Sequence, residues 1–124
     1  MIKESSLKKI AEYLNDTKAL SGAKDRLALY IRMRDNCMTT KKRSYKVIID
    51  NQIEIVENLQ LQVNRDKHDL SRLVDQEGDQ FYVFYLHYVK RRTLKEVAEL
   101  MHYSRVGVCK ILQRIKRKCI LING

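Results

Sequence analysis

Arg105, Val106, Cys109, Lys110, Gln113 and Arg117 recur at helical spacing near the C-terminus. On one helical face they would set two guanidiniums, an ammonium and a side-chain amide among small apolar groups. Such a set can read the donor and acceptor pattern of base edges in a DNA major groove. Val108, Ile111, Leu112, Ile115 and Cys119 fall on the opposite side of the same stretch. That apolar stripe is what a helix needs to pack by its back and leave its outer face free. Arg105 and Lys110 take the positions where side chains reach bases in this docking geometry. Lys90, Arg91, Arg92, Thr93, Ser104, Arg114 and Arg117 lie beside or behind that face and suit the phosphate backbone.

A reading helix must be held at a fixed angle, and the preceding residues can do this. Thr93 is a good N-cap and Glu96 stands three residues on, which predicts a capping box. Leu94, Val97, Ala98 and Met101 then give one apolar helical face. Ala98 is small enough for a second helix to approach, His102-Tyr103 makes a tight turn, and Ser104 can cap the second helix. Val108 is the branched apolar residue expected about four positions into it. The turn position ordinarily takes Gly because φ is positive there. His102 is among the few side chains enriched at positive φ, so the spacing predicts a left-handed His102. The rival reading is an ordinary antiparallel helical hairpin with a solvated basic face.

Charge separates the two. The chain of 124 residues carries a net charge of +10. Residues 90–124 hold ten Lys and Arg against Glu96 and Glu99 alone, giving +8, whereas residues 1–89 hold fifteen against thirteen, giving +2. An excess concentrated at one end suits a polyanionic partner. No catalytic constellation is visible: no paired carboxylates, nucleophile beside a base, or glycine-rich phosphate loop. The chain therefore reads as a non-enzyme without cofactor. Cys37, Cys109 and Cys119 form no CxxC pair and have no metal spacing with His68, His87 and His102. They read as free thiols in a reducing cytoplasm, Cys119 in the core and Cys109 on the outer face. No signal peptide or apolar run of membrane-spanning length is present, so no membrane partner is expected.

The 44% hydrophobic content supports a real core, and the absence of proline and the four glycines favour an all-α chain. Leu7, Ile10, Leu14 and Thr17 predict a first helix over roughly Ser6–Asn15, capped by Ser5 or Ser6. Leu20, Leu27, Tyr30, Ile31 and Met33 predict a second, to about Asn36, with Ser21-Gly22 kinking it or delaying its start. Thr39–Ser44 reads as a basic loop whose Lys41-Lys42-Arg43 run is solvated or touches phosphate. Over residues 45–75, Ile49, Val56, Val63 and Leu70 recur every seven residues. Leu59 and Leu73 stand on a second line that Gln52 and Asp66 interrupt. This imperfect seam is coiled-coil-like, and either the N-terminal helices or a second copy of the chain can cover it. A homodimer is the preferred expectation, because two half-sites add specificity. Glu77-Gly78-Asp79 breaks the pattern. The aromatic run Phe81–Val89 has β propensity, but Phe81, Phe84 (or Tyr85), Tyr88 and Val89 keep helical spacing, so a buried support helix is predicted. Lys90-Arg91-Arg92 ends it against the helix dipole.

The block FYLHYVKRRTLKEVAELMHYSRVGVCKILQRIKRK resembles region 4 of bacterial sigma factors, a promoter-reading helix-turn-helix. It is similar, more closely, to phage late-gene transcriptional regulators of the RinA and ArpU type. In these, a YLRY-like segment precedes a TLEEIAEKMGYS-like helix and turn. Tyr85-Leu86-His87-Tyr88, Thr93-Leu94-Lys95-Glu96-Val97-Ala98 and Met101-His102-Tyr103-Ser104 carry the likeness, which covers about the last 45 residues. It implies residues 1–76 as a helical bundle or dimerisation region, and residues 77–124 as a sigma region 4-like DNA-binding domain. It also implies sequence-specific binding to double-stranded DNA near phage late promoters in the bacterial cytoplasm and nucleoid. Activation of packaging, structural and lysis genes would follow, with RNA polymerase as a candidate partner. The base-reading face carries over to Arg105, Val106, Cys109 and Lys110. Val106 and Cys109 stand where sigma factors commonly have charges, so the sequence read should differ from a housekeeping promoter element. Gly107 costs about 1 kcal/mol of helix propensity but lets a backbone or phosphate come close. Two other readings stay open: a small-terminase-like packaging protein, and a polymerase or anti-sigma adaptor acting through protein contacts.

Overall fold

Helix propensity is high throughout the chain and proline is absent, so helices end only where packing or a cap ends them. The computed structural model describes residues 2–37 and 42–123, without the side chains of 122 and 123. Among them, α1 covers Glu4–Asp35 and α2 covers Lys42–Leu73. The shorter α3, Asp79–Phe84, runs directly into a π-helical turn, Tyr85–Val89, and is followed by α4, Leu94–Met101, and α5, Arg105–Asn123. The fold is all-α: a long N-terminal helix pair followed by shorter helices.

Three local expectations are corrected. The two predicted N-terminal helices are one continuous α1. Gly22 neither interrupts it nor delays its start: a glycine inside a helix costs only about 1 kcal/mol, and Leu20 and Ala23 on either side are buried. Ser6 is not a cap but lies inside α1, 2% exposed, and its hydroxyl donates to Glu77 Oε1 at 2.6 Å. Lys42, Arg43 and Ser44 belong to the first turn of α2 rather than to a loop, because Lys and Arg propagate a helix as readily as they decorate a loop. The rest of the predicted loop, Thr39 to Lys41, lies outside the described residues.

The chain groups into two compact units, Met1–Tyr13 with Asp66–Gly124, and Leu14–Arg65. The expected division at 76/77 falls inside the first. That unit holds the dense core. Ile10, Leu70, Phe81, Val83, Phe84, Val97 and Val108 are fully buried, and Ile115 nearly so. Tyr13 meets Phe84 edge-on at 6.3 Å, and its hydroxyl donates to the Tyr88 carbonyl at 3.1 Å. The Cys119 thiol donates to the Leu7 carbonyl at 3.7 Å, and Lys9 pairs with Asp69 at 3.6 Å. The aromatic run is helical as expected, since Phe81, Val83, Phe84, Tyr85 and Leu86 are all buried.

In the second unit α1 and α2 pair through Leu20, Ala23, Ile49 and Val63, and Gln52 Nε2 donates to the Ala23 carbonyl at 3.0 Å. On the heptad line of α2, Ile49, Val63 and Leu70 are buried and Val56 is half-buried; on the second line polar Gln52 and Asp66 are buried while Leu59 and Leu73 are half-buried.

Candidate nucleic-acid interface

The turn between α4 and α5 is built by its own residues. Thr93 Oγ1 accepts from the Glu96 amide at 3.1 Å, and the Thr93 amide donates back to Glu96 Oε1 at 3.4 Å, so the capping box is complete. At the other end of α4, His102 adopts φ 59°, ψ 38°, the left-handed conformation its place required. The Tyr103 amide then donates to the Ala98 carbonyl at 3.0 Å, closing the helix end. Ser104 caps α5, its hydroxyl accepting from the Gly107 amide at 3.0 Å. A Cβ added at Gly107 would stand 3.1 Å from that hydroxyl. Gly107 thus leaves room for the capping hydroxyl. Tyr103 ties the turn to the start of α3, its hydroxyl donating to Asp79 Oδ2 at 3.5 Å.

These contacts fix which side of α5 faces outward. Val108, Leu112, Ile115 and Cys119 are buried and Ile111 is half-buried. Arg105, Val106, Lys110, Gln113, Arg114 and Arg117 are exposed, and Cys109 is half-exposed. Arg105, Val106, Cys109, Lys110 and Gln113 therefore form one accessible face. Val106, 63% exposed, is an apolar group in water with no core role. Arg114 and Arg117 follow along the same helix.

The other cations come from the end of the aromatic helix. Its last turn is π-helical, the Lys90 amide reaching the Tyr85 carbonyl at 3.0 Å. Lys90, Arg91 and Arg92 are all exposed. Arg91 sits at φ 56°, a left-handed conformation that costs a non-glycine residue about 1–2 kcal/mol. Arg92 Nη1 lies 3.6 Å from Glu96 Oε2 across a solvated pair. Thr93 and Ser104, assigned to the backbone set, are both engaged as caps, and both are exposed.

Several supports were invisible in the sequence. Lys90 Nζ stands 5.7 Å from the Tyr85 ring centre and Lys116 Nζ 5.1 Å from that of Tyr88. Such cation–π contacts anchor the cations to the aromatic helix. His87 Nδ1 lies 2.9 Å from the Arg92 carbonyl. A π turn adds one residue to the helical period. The doubling of apolar positions at Phe84/Tyr85 and Tyr88/Val89 is the signal that could have revealed it.

Behind the interface, burial pushes the Tyr13 phenol up, Arg91 opposing and Asp66 adding to the shift. Burial likewise raises the Cys119 thiol. Cys37, Cys109 and Cys119 are all free thiols. Among the described residues no group of three His, Cys, Asp or Glu could hold a metal ion, and no helix is long and apolar enough to cross a membrane. The arrangement offers cations, one amide and two small apolar groups on a helix with a fixed outward face. Comparison with protein-family models, curated proteins and solved structures finds no match to this chain.

Proposed function

We propose that the chain is a sequence-specific DNA-binding transcriptional regulator, an activator of phage late genes in the bacterial cytoplasm. The supporting observation is the capped turn itself. Left-handed His102 and the Ser104 cap hold α5 with Arg105, Val106, Cys109, Lys110 and Gln113 exposed together. The +8 charge of residues 90–124 supplies the sequence-independent part of binding. Val106 and Cys109 meet thymine methyl groups, while Arg105 takes a guanine edge.

Selection of bound fragments from the encoding genome tests this. Fragments should cluster upstream of late operons, and their affinity should fall at least about a hundredfold between 50 and 200 mM salt. Fragments clustered at a packaging start would favour the terminase-like reading, and weak salt dependence would remove DNA as the partner.

A contact with RNA polymerase has one observation in its favour. Leu100 is 60% exposed on α4, and a shallow groove beside it is lined by Arg92, Glu96 and Glu99. Glu96 and Glu99 are the only two acids within residues 90–124. An exposed leucine flanked by carboxylates suits a protein better than a phosphate backbone. The adaptor reading, with or without a homodimer, belongs to this face.

A further inference from the structure

The three exposed cations at the end of the aromatic helix sit on backbone that is unusually constrained for a surface loop. The Lys90 amide donates to the Tyr85 carbonyl at 3.0 Å, and the Arg92 amide to the Leu86 carbonyl at 2.9 Å. Between them Arg91 is held left-handed. The Arg92 carbonyl lies 2.9 Å from His87 Nδ1. A carbonyl can only accept, so Nδ1 carries the proton and donates. His87 is thus the one side chain in this set of contacts that reaches across the π turn to the loop backbone. Its ring also lies edge-on to Tyr88 at 4.9 Å, and Tyr88 stacks on Phe84 at 4.9 Å. The imidazole is therefore anchored to the core on one side and to the loop on the other.

We propose that His87 is the positioning residue of a phosphate clamp. Its Nδ1–H holds Lys90, Arg91 and Arg92 in the strained loop that meets the DNA backbone. This deepens, and rests on, the DNA-binding reading. Strain of this kind persists only where the surroundings over-determine it, and it collects at ligand clamps. Without the imidazole donor, Arg91 relaxes from φ 56° toward the ordinary right-handed region. The three cations then spread over many arrangements, and the phosphate contact must order them at the moment of binding.

The chemistry makes the test specific to one atom. The amide nitrogen of Asn stands close to where Nδ1 stands, and that of Gln close to Nε2. His87→Asn keeps the donor, whereas His87→Gln and His87→Ala misplace or remove it. Titration of the full chain with a random-sequence duplex should give wild-type affinity for His87→Asn. The other two should lose about three- to tenfold, the range a single net hydrogen bond spans. Their salt slope should flatten by up to about one unit. Amide hydrogen exchange without DNA should show Arg92 exchanging faster in His87→Ala and His87→Gln, with α5 unchanged.

If all three variants bind and exchange as wild type does, the proposal is wrong. It is equally wrong if all three lose affinity alike and melt earlier, since His87 is then only a packing residue. If the wild-type chain binds no duplex, the DNA-binding reading falls and the clamp with it. The exchange data would still show separately whether His87 holds the loop.

Discussion

The unit containing α3 to α5 and the unit formed by Leu14–Arg65 bury their apolar residues in different ways. The largest fully buried side chains, from Ile10 to Ile115, all belong to the first. In the second, Leu20, Ala23, Ile49 and Val63 make a narrow stripe, while Val47, Ile48, Ile55 and Leu61 remain exposed. Several short helices crossing one another enclose a side chain from many directions. Two helices side by side can cover only the stripe they share. The exposed face of α5, proposed to read DNA, would need a fixed angle, and it sits on the densely packed unit. The paired helices carry no such demand and should open locally at lower free energy.

The strongest way to break this comparison is to cut one side chain from each core. Phe84→Ala should cost about 3–5 kcal/mol, because the ring fills space between Tyr13 and Tyr88 that cannot close up. Ile49→Ala should fall near the lower end of the range for its type, about 2 kcal/mol, since a stripe shared by two helices can close over the gap more easily than a core enclosed on many sides. Urea unfolding monitored by circular dichroism measures both. Equal losses would mean that the two cores are equally packed.

Within the first unit, two arginines separate reading from holding. Arg105→Ala should cost about 1–3 kcal/mol of binding on a cognate site and little on random DNA, because a bidentate base contact is lost. Arg92→Ala should weaken both alike and flatten the salt slope by about one unit. Fluorescence anisotropy with both duplexes decides it. A loss by the same factor on both DNAs for Arg105→Ala would end its base-reading role.

Gln52 sharpens the comparison from the side of the paired helices. Gln52→Ala removes its bond to the Ala23 carbonyl and leaves a gap, and should cost about 1–2 kcal/mol. Gln52→Leu refills the space with apolar atoms and should stay within about 0.5 kcal/mol of wild type, because the Ala23 carbonyl lies inside α1 and keeps its helical hydrogen bond. Should the leucine variant lose as much as the alanine one, the bond itself, rather than burial, holds the pair. Thermal melts of the two variants give the answer.

The turn chemistry of the C-terminal helices was readable because each signal is local. Thr93, Glu96, His102 and Ser104 each act within four residues, and each adopts the predicted role. The inner stripe of α5 was readable for the same reason. What the sequence concealed is what depends on distance. Nothing near Ser6 announces Glu77, and nothing near Cys119 announces Leu7. Gly22 reads as a break because a glycine is a weak helix breaker by itself, and the buried Leu20 and Ala23 that outweigh it are visible only in the fold. Arg91 was legible as a cation but not as left-handed, since that follows from a π turn and the His87 contact.

Tyr13 offers the finest test, because it closes the N-terminal segment of the first unit. Its hydroxyl donates to the Tyr88 carbonyl, so Tyr13→Phe should cost about 0.5–1.5 kcal/mol at neutral pH. Burial raises the folded-state pKa of this phenol above its ordinary value of about 10. The folded state therefore holds the proton more tightly than the unfolded chain does. That contribution is fully present below about pH 10 and is lost as pH climbs through the raised value. The stability gap between wild type and Tyr13→Phe should stay constant up to about pH 10 and narrow above it. Urea midpoints at several alkaline pH values, taken on both proteins, follow the gap directly and cancel the titration of the remaining tyrosines and lysines. A gap that stays constant well above pH 10 would place the Tyr13 hydroxyl in water. The start of α1 would then not be docked on the aromatic helix, and the first unit would lose the segment that separates its packing from that of the second.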